Sequence, residues 1–206
     1  MVAARADVRN PAAVAAALGR AVADLGRLDI VIANAGILPI TGPAADEHQA
    51  WDDAIAVMLT GVFNTVRPAI PILLDQGEGG SIVIISSTAG LKGMTSIYAG
   101  NLGYVAAKHG VVGLMRGWAN VLGPSRIRVG TIHPAGCNTP MVVNEAFARH
   151  AASNPSVAGG DMKKLVPVDL IEPSDVANAV AWLASDGGRY VTGQTIAVDA
   201  GFTVRV

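Results

Sequence analysis

The sequence predicts an α/β fold: a doubly wound parallel sheet whose strands are joined by crossover helices. Three observations carry this. Short apolar runs rich in β-branched residues alternate with longer stretches of helical periodicity along the 206 residues. Those runs are continuous instead of alternating apolar and polar, as strands buried on both faces read. Hydrophobic residues make up 51% of the chain, enough to fill the two core layers such a sheet needs.

Asn10-Pro11 opens the first clear helix, with Asn as N-cap and Pro at the first helical position. Val14, Leu18, Val22 and Leu25 recur with helical spacing, and Gly26 supplies the stop. Residues 28–33 form the next apolar run and read as a buried strand, followed by Asn34-Ala35-Gly36. A long helical pattern covers about 46–76, with Trp51, Ile55, Leu59, Val62, Val66, Ile70 and Leu73 on one face. Pro68 and Pro71 lie inside it and are expected to bend or end it. Residues 81–86 are the next strand, about 98–122 a helix, and 127–132 a strand ending at His133-Pro134. Periodicity weakens over about 138–172, which reads as a loop region with short helices; 173–184 is helical and 195–198 is the last strand.

Composition narrows the function. Fifteen Lys+Arg stand against sixteen Asp+Glu, a net charge of −1, so a nucleic-acid binder held by phosphate contacts is not expected. One cysteine, Cys137, excludes an internal disulfide framework and reads as a small buried residue. No run approaches the ~18 apolar residues of a membrane span, and the Ala-rich start lacks the order of a signal peptide. A cytoplasmic protein is expected. His48, His109, His133 and His150 stand in no metal-ligand spacing, so zinc is not expected. Ser87 lies between Ser86 and Thr88, not in the Gly-x-Ser-x-Gly elbow of a hydrolase. Trp51, Trp118 and Trp182 fit helix core faces. Met94, Met141 and Met162 fit either a core or an apolar substrate pocket.

Three strand ends carry small residues that let a flat ligand approach the backbone: Asn34-Ala35-Gly36, Ser86-Ser87 and Pro134-Ala135-Gly136. In a parallel sheet such ends share one crevice at the C-terminal edge, although each alone also reads as ordinary turn chemistry. Tyr104 and Lys108 stand at i and i+4, on one helix face. An ammonium beside a phenol favours the phenolate, so the Tyr104 pKa is expected to fall below about 10. Such a phenol can exchange a proton with a carbinol oxygen, and a hydroxyl such as Ser87 could hold the same oxygen. A surface Tyr with a solvated Lys is the bland alternative.

These pieces, in this order, resemble the short-chain dehydrogenases/reductases across essentially the whole chain. Asp7-Val8 looks like the acidic turn that receives the adenine, and Asn34-Ala35-Gly36 like the family's Asn-Ala-Gly motif. Ser87, Tyr104 and Lys108 match its catalytic Ser, Tyr and Lys. Pro134, Ala135, Gly136, Cys137, Asn138 and Thr139 look like the segment that holds the nicotinamide carboxamide, and Asp199-Ala200-Gly201 like the usual ending. The long gap from Ser87 to Tyr104, with Leu91-Lys92-Gly93 and Asn138-Thr139-Pro140-Met141, looks most like the carveol-dehydrogenase-like, mycofactocin-associated subgroup.

The resemblance implies NAD-dependent interconversion of a hydrophobic secondary alcohol and ketone, with NADP left open. Tyr104 would be the acid/base, Ser87 the substrate-orienting donor and Lys108 the holder of the nicotinamide ribose. Cofactor contacts are implied for Asp7, Val8, Asn34, Ala35, Gly36, Tyr104, Lys108, Pro134, Gly136, Cys137 and Thr139. The region 138–172 would be a substrate lid, and a homodimer or homotetramer is implied. There are two departures. Met58 stands where the family usually has Asn. The family's Gly-rich turn and first two strands have no counterpart, so the expected fold is one Rossmann-like domain over 1–206, N-terminally truncated, beginning at the family's third strand near residues 2–6. Residues 2–8 are expected to move into the vacant place beside 28–33, or else the chain is marginally folded. The alternative function is a catalytically silent member of the family that only self-associates.

Overall fold

In the computed structural model, which describes residues 2–39, 47–93, 96–153 and 163–205, four parallel strands form one sheet in the order β1-β2-β3-β4. They are β1 (Ile30–Ala33), β2 (Gly80–Ile85), β3 (Ile127–Pro134) and β4 (Thr195–Val198). Val31 pairs with Ile82, Ile82 with Val129 and Ile132 with Ile196, so the apolar runs stack in register.

Helices cover both faces. Helix α1 (Pro11–Leu25) begins where the Asn10 side chain accepts from the Ala13 N–H at 3.1 Å and ends at Gly26 in the left-handed conformation, φ 82°. On one face Val31, Ala33, Ile82 and Ile84 pack against Val62 and Val66 of α3 (Gly61–Val66), Ala69 and Leu73 of α4 (Ala69–Gln76), and Val111 and Met115 of α5 (Ala99–Leu122). On the other, Val83 and Ile132 pack against Leu183, Val176 and Val180 of α7 (Pro173–Ala184). These are the two layers the strand pattern requires.

The long helical pattern is broken differently from expectation. Helix α2 (Glu47–Ile55) runs into a widened π turn over Ala56–Thr60 before α3, and a turn at Arg67-Pro68 precedes α4. Pro71 breaks nothing, because it stands in the first turn of α4, where its missing N–H has no helical partner to lose. By length and composition the stretch from Glu47 to Gln76 could cross a membrane, but its Val62, Val66, Ala69 and Leu73 belong to the core. Trp51 and Trp182 are not core residues: they stay 40% and 46% exposed, whereas Trp118 packs on the core and stacks on Phe63 at 6.3 Å.

The N-terminal strand does not form. Residues 2–6 run exposed with no sheet partner, and β1 is left as an edge with Ile30 and Ile32 about half exposed. The anchors lie farther on, at Val8, where the Asn64 side chain donates to the Val8 carbonyl at 2.8 Å and the valine lies against Gly61. They hold residues 7–9 over α3, where these residues make no ladder with β1. Residue Met94 and the middle of the region 138–172 expected as a lid, 154–162 with Met162, lie outside the described residues. Helix α6 (Glu145–Ser153) is the described helix within that region.

Candidate active site

The C-terminal ends of β1, β2 and β3 point the same way, as parallel pairing demands, so the small-residue turns after them meet at one edge of the sheet. Ser87 follows β2 in fully extended backbone and caps a short 3-10 turn, its hydroxyl oxygen accepting from the Ala89 N–H at 3.1 Å. Directly before it, buried Ser86 donates to the Lys108 carbonyl at 2.9 Å. A methyl group on Gly90 would lie 2.5 Å from that same carbonyl oxygen, so β2 and α5 meet here without room for a side chain.

Helix α5 brings Tyr104 and Lys108 to this point. Lys108 is 95% out of solvent, since its relative exposure is 5%, and its ammonium donates to the Ile85 carbonyl at 2.8 Å. The ammonium lies 5.6 Å from the centre of the Tyr104 ring. Burial pulls the Lys108 pKa down to about 8. Tyr104 packs against Ala54, Met58 and Ala107. Its pKa is raised, not lowered as expected: burial dominates and outweighs the opposing pull of the adjacent Ser87 hydroxyl. The Lys108 ammonium is spent on Ile85, and a half-buried phenol pays for charge in a poorly solvated place. Met58, fully buried in the π turn, fills the space beneath the phenol.

Gly36 belongs to the same group. A methyl there would lie 3.9 Å from Lys108 Nζ and 3.8 Å from Met141 Cε, so Gly36, Lys108 and Met141 surround one point. Ala35 and Gly36 also line a cavity of about 440 Å³ with Asp7, Val8, Arg9, Asp53 and Val57. Asp7 is exposed; Arg9 holds its carboxylate through contacts of 2.7 to 3.1 Å and lowers its pKa to about 2. Asn34 faces two ways: its carbonyl oxygen lies 3.8 Å from the same point beside Gly36. It also lines a separate apolar cleft of about 580 Å³ between the β1 edge and α7, with Ile30, Ile32, Val176 and Val180.

After β3, Pro134 leads into a turn tied to the last strand by the Ala135 N–H donating to the Val198 carbonyl at 3.1 Å. Gly136 and Asn138 exchange backbone hydrogen bonds with Ile171, tying the two ends of the segment 138–172 to each other. Cys137 sits at that junction, and burial, with Glu172 nearby, pushes its thiol pKa up. Thr139 is half-buried, its hydroxyl 3.4 Å from the Cys137 carbonyl, and its own carbonyl accepts from the N–H groups of Val142 and Val143. The structure thus brings Ser87, Tyr104, Lys108, Gly36 and the Asn34 carbonyl together, sets Asp7, Val8 and Ala35 along the adjoining cavity, and has Asn34 also line the other cleft.

Two residues carry weight that sequence reading missed. Asn64 fixes Val8; a lone Asn three residues after Gly61 on an apolar helix face was its available signal. His133 lies fully buried beneath Ser87, and nothing local in the sequence marks it.

A parallel sheet with helices on both faces and small residues gathered at its strand ends defines a Rossmann-like α/β protein. Comparison with known proteins carries this further. Residues 1–203 match a family model described as enoyl-(acyl carrier protein) reductase. An uncharacterized oxidoreductase of Mycobacterium tuberculosis is 54% identical over 202 residues, 98% of this chain and 73% of its own. The (-)-trans-carveol dehydrogenase of Rhodococcus erythropolis is 44% identical over 208 residues, 97% of this chain and 74% of that one. The crystal structure of carveol dehydrogenase from Mycobacterium avium in complex with NAD superposes with a TM-score of 0.89 at 40% identity, covering 99% of this chain and 75% of that one. The chain belongs to the short-chain dehydrogenase/reductase family and is an oxidoreductase of that type.

Proposed function

We propose that the chain interconverts a hydrophobic secondary alcohol and its ketone with NAD, with Tyr104 as the proton donor and acceptor. The convergence of Tyr104, Ser87 and Lys108 at the end of β2, beside Gly36, carries this reading. The residues fit a dinucleotide: Ala35 and Gly36 leave a surface nearly without side chains, continuous with the cavity at Asp7 and Val8. NAD is favoured because the superposed carveol dehydrogenase is an NAD complex. Lys108 would hold the nicotinamide ribose, Pro134, Gly136, Cys137 and Thr139 the carboxamide, and Asp7-Val8 the adenine. Bound NAD supplies the hydride acceptor.

The protein's own part is positional and electrostatic. With the Ala89 N–H on one lone pair of Ser87, the serine O–H is left as the donor, directed to Tyr104 here and to a substrate oxygen when one is bound. The same oxygen exchanges its proton with the Tyr104 phenol. A phenol whose pKa is raised by burial is protonated at neutral pH and suited to donate to a ketone. Alcohol oxidation is therefore expected to speed up with rising pH, and ketone reduction to slow. Exposed Met141 beside Gly36 and Lys108 gives the substrate end an apolar wall, which suits a terpene-like alcohol.

Carveol oxidation with NAD tests the reading. Tyr104→Phe should abolish turnover and leave NAD affinity nearly unchanged; retained turnover rejects Tyr104 as the acid/base. The open β1 edge favours a second reading, a chain that self-associates without catalysis. On that reading NAD and NADP leave the melting temperature unchanged, whereas a cofactor at ~100 times its dissociation constant otherwise adds about 2.7 kcal/mol.

A further inference from the structure

His133 is fully buried at the end of β3, yet both of its ring nitrogens are engaged. Nδ1 lies 2.7 Å from the Ser87 carbonyl oxygen and Nε2 2.8 Å from the Thr131 hydroxyl. A carbonyl oxygen can only accept, so Nδ1 carries the proton. Burial holds the imidazole neutral, with the charges of Lys108 and His109 acting in the same direction against the pull of the Ser87 carbonyl. Nε2 is then an acceptor, and the Thr131 hydroxyl donates to it. Thr131 is itself fully buried on β3, two residues back, so the ring is clamped at one end by the strand that carries it and at the other by the turn that follows β2.

The geometry points to His133 as a positioning residue for Ser87: its Nδ1–H grips the Ser87 backbone and thereby aims the Ser87 hydroxyl at Tyr104. Ser87 stands beyond the last ladder pair of β2 and β3, where Ile85 meets Ile132, so the sheet itself does not fix it. The backbone bond from Ser86 N–H to the Ile132 carbonyl, 2.8 Å, is the last one before it. Beyond that point the Ser87 carbonyl accepts from the Gly90 N–H at 2.8 Å, which only closes the local turn. The imidazole is what ties this turn back to β3. The same turn sets the Ala89 N–H on the Ser87 hydroxyl oxygen, so a shift of the carbonyl is passed to the hydroxyl through one residue.

This inference rests on the reading of Ser87 and Tyr104 as the working pair, and three variants of the whole chain separate the two. His133→Asn places an amide N–H near the position of Nδ1–H; His133→Phe removes the donor at similar size; Ser87→Ala removes the hydroxyl. In carveol oxidation His133→Phe is expected to lower kcat at least tenfold with NAD affinity within twofold, and His133→Asn to recover kcat to within about threefold. In the Ser87→Ala background His133→Phe should add nothing, since both act through one hydroxyl. Equal kcat for all folded His133 variants, or effects that multiply across the double variant, overturns the assignment. Amide exchange gives a readout that needs no turnover. The Ala89 N–H should exchange at least tenfold faster in His133→Phe and near the wild-type rate in His133→Asn; unchanged exchange in His133→Phe overturns it. A wild-type chain without turnover defeats the proposed function and leaves the exchange result to decide His133.

Discussion

Gly90→Ala places one methyl group at the most crowded contact between the Ser87 turn and α5. The added carbon would lie 2.5 Å from both the Lys108 carbonyl oxygen and Ser86 Oγ, and 2.9 Å from the Lys108 carbonyl carbon. Ordinary contact is about 3.5 Å, so one neighbour must retreat by about 1 Å. Two of the three atoms are helix backbone and cannot retreat alone. The third, Ser86 Oγ, can rotate away only by giving up its 2.9 Å hydrogen bond to Lys108. Overpacking of this kind costs about 1–3 kcal/mol, and the lost hydrogen bond about 1 kcal/mol more. For a chain of this size, at about 2–4 °C per kcal/mol, that corresponds to a melting temperature roughly 4–16 °C lower by calorimetry or circular dichroism. Gly113→Ala is the matched control on the same α5: exposed, with nothing within 4 Å of the new carbon. It should raise stability by about 0.5–1 kcal/mol through helix propensity. A Gly90→Ala protein that melts within about 2 °C of wild type would refute the claim that this contact fixes α5 against the Ser87 turn.

Lys108 carries a pH signature. With its pKa near 8 when folded and near 10.5 when unfolded, the unfolded chain binds more protons between these values, so stability rises with pH across that window. Relative to Lys108→Met, which lacks this effect, wild type should gain about 2 kcal/mol between pH 7 and 10; a constant gap in melting temperature would contradict it. Asn64→Leu leaves the Val8 carbonyl without its donor and should cost about 1–2 kcal/mol. The same change should weaken NAD several-fold in a titration, and unchanged affinity would separate Val8 from the cofactor. Asp199 accepts from the Gly201 N–H and from the Thr203 N–H and hydroxyl, and Ala200 accepts from Leu165 and Val166. Burial pushes its pKa up, but these hydrogen bonds outweigh it and leave the pKa lowered, so this turn's stability is present above the usual carboxylate range and is lost as pH falls through the lower folded value. Asp199→Ala should speed amide exchange at Leu165 and Val166, and unchanged exchange would detach the Leu165-Val166 segment from the C-terminal turn.

Strands were legible because β-branched runs such as Ile82, Val83 and Ile84 have one low-energy use, burial between two helix layers. The caps of α1 were legible because Asn10 and Gly26 act on their own neighbours. The pairing of Tyr104 with Lys108 was legible because helical spacing alone puts them on one face. What escaped depends on contacts far along the chain. The π turn at Ala56–Thr60 has no local signature in an apolar stretch. Val8 meets Asn64 across 56 residues, and His133 meets Ser87 across 46. The Tyr104 pKa was misjudged because spacing shows that a lysine is near, not that its ammonium is turned to Ile85. Residues 2–6 were expected as a strand only from the family resemblance, but a strand needs a partner edge within reach, and Val8 is anchored over α3.

The bare edge of β1 has a consequence for handling the protein. Only four residues long, it ends at its entry in a knot of charge: Arg27 grips Asp29 at 2.6 Å and Glu78 at 2.8 Å. An incoming strand from another molecule must pass two carboxylates before it reaches Ile30 and Ile32. Short length and guarding charge are how natural sheets discourage growth at an edge. The guard is exposed and therefore screened, with a reach of about 10 Å at 0.1 M salt and about 3 Å at 1 M. A concentrated kosmotropic salt such as sulfate removes the guard while strengthening the attraction of the isoleucines, so association through this edge is expected to be weakest in dilute buffer and to grow in concentrated sulfate.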